Sequence, residues 1–125
     1  FMPFAPVVLE EDTKKCFLNI NGAEHAAKFM TITFKCTEWM QKNCPAVVHV
    51  DHTARPQIIE ESINPYYFNI LNEFKKLTGL PVLVNTSFNI HEEPIVCTPS
   101  DAIKAFIKSN LDYLTVKEYL IYKNE

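Results

Sequence analysis

A capped helix runs almost without a loop into an apolar strand between positions 64 and 84, and few architectures accept that order. Asn64-Pro65 opens the helix, and Tyr67, Ile70, Leu71, Phe74 and Leu77 fall at helical spacing on one face. Lys75 and Lys76 occupy its exposed last turn, and Gly79 stops it. Leu80-Pro81-Val82-Leu83-Val84 is too short for a second helix and reads as a buried strand. A helix delivered straight onto a strand must pack against the sheet that the strand joins, which is the signature of α/β architecture.

The rest of the chain repeats this alternation. Residues 4–9 read as a strand, with Pro3 and Pro6 restricting it to an edge or an entry segment. A short helix is expected over 10–18 and a loop over 19–27, around Gly22. Residues 29–34 alternate apolar and hydroxyl side chains and read as a strand with one wet face. Thr37 suits the N-cap of a short helix over 37–43, and 46–50 read as a second buried strand. Thr98, Pro99 and Asp101 start another helix, with Ala102, Ile103, Phe106 and Ile107 as its buried stripe. Residues 113–116 and 119–122 read as closing strands. The expected fold is one α/β domain of 125 residues, a twisted mixed sheet flanked by helices. The start at Phe1, already in strand-like sequence, is expected to be a piece of a longer protein.

Several function classes are disfavoured. A net charge of −3 argues against a nucleic-acid binder. No apolar run reaches 18 residues and no signal peptide is visible, so a cytoplasmic protein with no membrane partner is expected. Cys16, Cys36, Cys44 and Cys97 show no C-x-x-C spacing and are expected to be reduced thiols, mostly buried. With only two glycines there is no glycine-rich phosphate loop, so a phosphate would have to be held by side chains and helix ends.

Two polar clusters carry the candidate chemistry. The first is His49-Val50-Asp51-His52-Thr53-Ala54-Arg55-Pro56-Gln57, expected at a strand's end. The planar fork of Arg55 matches phosphate or carboxylate oxygens; it would equally suit a surface pair with Glu60 or Glu61. His49 and Asp51, two apart on one strand face, hydrogen-bond their neighbours on this reading, and no metal site is expected because spacing fixes no third ligand. The second cluster is Asn85-Thr86-Ser87-Phe88-Asn89, hydroxyls and amides at the end of the 80–84 strand. These side chains either cap the following turn or hold a small polar ligand. Glu93 would position an arginine or a ligand hydroxyl.

Four blocks then occur in one order: Pro3-Phe4-Ala5-Pro6-Val7-Val8-Leu9; His49-Val50-Asp51 with Thr53-Ala54-Arg55-Pro56-Gln57; Thr78-Gly79-Leu80-Pro81-Val82-Leu83-Val84-Asn85-Thr86-Ser87-Phe88-Asn89; and Glu93-Pro94-Ile95-Val96-Cys97-Thr98-Pro99 with Asp101-Ala102. They resemble the C-terminal domain of the O-carbamoyltransferases of the nodulation-protein-U and cephalosporin/tobramycin carbamoyltransferase type, over nearly the whole chain. The resemblance implies a YrdC-like domain that takes carbamoyl phosphate and ATP as substrates and yields carbamoyladenylate. It also implies a preceding Kae1-like domain as partner, which carries an iron site and passes the carbamoyl group to an acceptor hydroxyl. On this resemblance Arg55, Ser87 and Asn89 are the catalytic candidates. His49, Asp51, Thr53, Asn85, Thr86 and Glu93 are the substrate-binding candidates.

The chain departs from the family pattern at three places. Met2 stands where the family has an arginine before Pro-x-Ala-Pro, and the family's upstream lysine has no counterpart in this sequence. His52 replaces the glycine of His-Val-Asp-Gly-Thr, and Glu92 replaces the glycine of Gly-Glu-Pro. A glycine lost from a ligand loop crowds it or strains its backbone. The departures raise a second expectation, a degenerate non-catalytic module that binds a ligand or a partner domain.

Overall fold

The computed structural model describes residues 4–124 and divides the chain into two units, Phe1–Thr86 and Ser87–Glu125. The expectations placed on Met2 and Pro3 lie outside the described residues.

The first unit is built on a three-stranded mixed sheet. Strand β1 (Ala5–Leu9) leads through a 3-10 turn (Glu10–Asp12) into helix α1 (Thr13–Cys16), then α2 (Glu24–Ala27). Strand β2 (Phe34–Lys35) and helix α3 (Glu38–Asn43) follow, then a 3-10 turn (Pro45–Val47) and strands β3 (Thr53–Ala54) and β4 (Gln57–Ile59). Helix α4 (Pro65–Thr78) and strand β5 (Val82–Asn85) complete the unit. The sheet order is β4-β1-β5, with β1 parallel to β4 and antiparallel to β5; β2 and β3 pair separately.

Period-two alternation along β1 splits the core between the two sheet faces. Val8, Ile58 and Val82 face a cluster with Cys16, Phe17, Ala27, Phe34, Cys36, Met40 and Val47. Val7, Leu9 and Ile59 face Leu71 of α4, with Tyr67, Phe68 and Leu83 around it. Being buried on both faces explains why β1 is a continuous apolar run.

The expected mixed α/β fold is present: a small mixed sheet with flanking helices. Local signals placed the helix ends well. Thr37 caps α3 and Asn64 caps α4, each side chain accepting from the backbone N–H three residues on. Gly79 ends α4 at φ 77°, in the left-handed conformation that glycine adopts without a Cβ clash.

Non-local signals fared worse. Pro6 does not confine β1 to an edge; β1 is the central strand. The reason is register: pairing with β4 begins only at Val7, while Pro6 sits opposite Val84 of β5. Residues 46–50 are no strand: they take the 3-10 turn and then a bend, and Val50 is fully exposed. Of 29–34 only Phe34 enters a strand. Met30 is left-handed at φ 56° and the Thr31 hydroxyl donates to the Ala26 carbonyl, so a turn takes the place of the strand. The helix expected over 10–18 ends at Cys16, because Phe17 bridges to Cys36; the loop expected over 19–27 contains α2, whose Ala27 is buried. On α4, Ile70 and Leu77 point away from the core, and Phe68 takes their place in the buried stripe.

The second unit holds helix α5 (Pro99–Lys108) and the hairpin of β6 (Tyr113–Val116) and β7 (Tyr119–Tyr122). Thr98 and Asp101 close a full capping box at the start of α5. Ala102, Ala105 and Phe106 are buried, while Ile103 and Ile107 of the expected stripe are exposed.

Candidate functional site

The polar end of the β4-β1-β5 sheet gathers the candidates of the first unit. Asn85 ends β5 opposite Ala5, and Gln57 begins β4 opposite Val7. The Asn85 amide donates to Gln57 Oε1 at 2.6 Å, reaching over the small side chain of Ala5. Counting the parallel register back from Val7↔Gln57 brings Arg55 level with Ala5. Arg55, Ala5 and Asn85 therefore form one row at this end, and Thr86 follows directly. Arg55 is exposed and makes no ion pair among the described residues. The carboxylate that sequence spacing offered it, Glu60, pairs with Lys28 instead.

The cluster 49–53 lies in a turn, not at the end of a buried strand. The Thr53 hydroxyl donates to Asp51 Oδ1 at 2.7 Å and the Thr53 backbone N–H donates to the same oxygen at 3.0 Å. These two bonds hold the Asp51 carboxyl below the usual carboxylate range, the hydroxyl contributing most. Thr53 Oγ1 also lies 3.2 Å from His49 Nδ1. Its single proton goes to Asp51, so Nδ1 must be the donor in that contact. His49, Asp51 and Thr53 thus bond one another and fix the turn that presents β3. His52 completes the turn at φ 64°, and lines a separate groove of about 610 Å³ with Leu18, Lys35 and Trp39. Among the described residues no group of three or more His, Cys, Asp or Glu side chains could hold a metal ion.

The second unit carries Ser87, Asn89 and Glu93. Ser87 Oγ donates to Asn89 Oδ1 at 2.6 Å, and Asn89 Nδ2 donates to the carbonyls of Ile90 at 3.1 Å and Glu93 at 3.0 Å. Asn89 thereby clamps a loop that also closes through Val96 N–H to the Phe88 carbonyl at 3.0 Å. Ser87 is exposed, and its oxygen retains acceptor capacity. Glu93 pairs with Lys108 at 2.8 Å, so it neutralises a lysine where an arginine was expected. Next to this loop, Glu93, Cys97, Asp101, Lys104 and Lys108 line a groove of about 350 Å³.

Sequence reasoning missed Gln57 as a partner of Asn85 and Lys108 as a partner of Glu93. Gln57 stood inside the quoted cluster. Lys108 lies on the exposed face of an amphipathic helix, where single sequences give no sign of a loop folding back onto it.

The comparisons with known proteins bear on the whole chain. Residues 1–123 match the family described as Carbamoyltransferase C-terminus. The chain is 42% identical over 123 residues to nodulation protein NolO of Bradyrhizobium diazoefficiens, covering 98% of this chain and 22% of that protein. It is 41% identical over 121 residues to an uncharacterized protein of Methanocaldococcus jannaschii, covering 97% of this chain and 19% of that protein. It is 38% identical over 92 residues to nodulation protein U of Rhizobium tropici, covering 73% of this chain and 15% of that protein. The chain therefore spans about a fifth of the length of these relatives. No described helix is long and apolar enough to cross a membrane. A family match over almost every residue, in step with the four motif blocks, establishes that this chain belongs to the carbamoyltransferase C-terminus family.

Proposed function

We propose that this chain is the part of an O-carbamoyltransferase that holds carbamoyl phosphate and ATP while carbamoyladenylate forms, for transfer to an acceptor hydroxyl by a preceding Kae1-like domain. The balanced reaction consumes water and releases phosphate and pyrophosphate. One observation carries the reading. Arg55 stands at the polar end of the sheet, level with Asn85, without a carboxylate partner among the described residues. An exposed guanidinium with a free fork is suited to phosphate oxygens. Ser87, exposed and able to accept or donate, is the other polar group proposed to contact the ligand, with Asn89 holding its loop.

Calorimetric titration of carbamoyl phosphate into the full-length protein tests this. Arg55→Ala is expected to weaken binding by about 10–150-fold, the range for one charge-assisted hydrogen bond of roughly 1.5–3 kcal/mol. Ser87→Ala is expected to weaken it by about tenfold. Saturable binding unchanged in both variants would reject the assignment.

A second reading is a non-catalytic module, and one observation favours it: Asn89 spends both amide hydrogens inside its own loop. ATP–pyrophosphate exchange that depends on carbamoyl phosphate separates the two, since only the catalytic reading produces it.

A further inference from the structure

Strand β5 has β1 on one side and no strand on the other among the described residues. The opposite edge of the sheet is protected, because α2 packs beside β4 and the Lys28–Glu60 pair sits at its end. The β5 edge has none of the usual protections: Val82–Asn85 contains no charge and no proline, and Val84 is 48% exposed.

Pro6 fixes which backbone groups face outward. Opposed residues in an antiparallel pair alternately exchange two hydrogen bonds or none. Pro6 has no N–H, so the Pro6↔Val84 pair cannot be of the bonded kind. The N–H and C=O of Val84, and by alternation those of Val82, therefore point to the free edge. A groove of about 190 Å³ runs along that edge, with Val82, Leu83 and Val84 on one side and Pro45, Ala46 and Val47 on the other. Three consecutive strand residues line it, so it follows the backbone edge and not one face. No charged residue lines it.

We propose that the β5 edge is a strand-addition site, taken by an extended apolar segment of the same full-length polypeptide. An uncharged groove beside paired N–H and C=O groups selects an extended, uncharged strand over a helix or an acidic peptide. The occupant follows from length, since this chain is about a fifth of its relatives and matches their family's C-terminus. The proposal rests on the reading that the chain is part of such a longer carbamoyltransferase. Its test reads no ligand binding, so failure here and failure of the carbamoyl phosphate assignment are distinguishable.

The experiment is residue-resolved hydrogen exchange on the full-length protein, with Val84→Pro as the variant. The Val82 and Val84 amides are expected to exchange at least about a hundredfold slower than in an unfolded chain. Val84→Pro removes only an outward N–H, so it should speed Val82 exchange by about tenfold or more while the Val7 and Val8 amides keep their protection. Val82 and Val84 exchanging near the unfolded rate would overturn the proposal, as would Val82 protection unaltered by Val84→Pro. Protection that rises with protein concentration would also overturn it, by assigning the edge to a second copy.

Discussion

His52 and Glu92 hold left-handed backbones, with φ of 64° and 68°, at the two positions where the family pattern has glycine. A side chain there brings its Cβ too close to the carbonyl oxygen, at roughly 1–2 kcal/mol. Glycine removes that clash but loses more freedom on folding. His52→Gly and Glu92→Gly are each expected to raise stability by about 0.5–1 kcal/mol, read as a higher urea midpoint. The thiols obey the same local logic. Burial, the largest cause, pushes Cys16 up to about 12 and Cys36 up to about 11, and it raises Cys44 as well. Only Cys97 is exposed, so a thiol reagent at pH 8 should label it alone until the protein is unfolded. These native values lie above the ordinary 9.0, so the stabilisation is complete below pH 9. It is lost as pH rises from there towards 11, because the unfolded chain ionises first. Chemical denaturation at pH 8 and pH 10 should show the drop.

The helices test the capping chemistry. In α5 the Thr98 hydroxyl accepts from the Asp101 N–H at 3.2 Å, and the Asp101 carboxylate accepts from the Thr98 hydroxyl at 2.7 Å and the Thr98 N–H at 3.1 Å. Those bonds, the hydroxyl first, hold the Asp101 carboxyl below its usual range. The stabilisation is present above the ordinary carboxylate range and is lost as pH falls through the depressed native value. Thr98→Ala is expected to cost about 1 kcal/mol, and Gly79→Ala about 1 kcal/mol through its positive φ; thermal melts followed by circular dichroism would measure both. At this scale the sequence was informative because a cap involves residues three apart. Thr37, Asn64, Gly79 and Thr98 were all legible for that reason. The strands at 29–34 and 46–50 were misread because β-branched apolar residues in a row do not reveal whether a partner strand exists. Here none is available, and the segments turn.

For the molecule as a whole, α4 is held to the sheet through Leu71, which is fully buried among Val7, Leu9 and Ile59. Leu71→Ala is expected to cost about 2–5 kcal/mol, measured by urea unfolding, which makes it a severe change for a small sheet. An ion-paired clasp joins the same helix to the chain after β1: Lys75 binds Glu11 and Asp12, both at 2.6 Å. Sequence spacing put Lys75 on an exposed turn because its partners are more than sixty positions away.

By itself the sequence determined the alternation of helices and strands, the capped helix ends and the four motif blocks that mark the family, since each depends on residues within a few positions of one another. Only the tertiary structure decided that β1 is central despite Pro6, that His49, Asp51 and Thr53 bond one another, and that Arg55 comes level with Asn85 at one end of the sheet. Those facts depend on register and on side chains distant in sequence. Chain closure brings them together through burial and backbone pairing, and no local preference of a residue specifies which distant partner it meets.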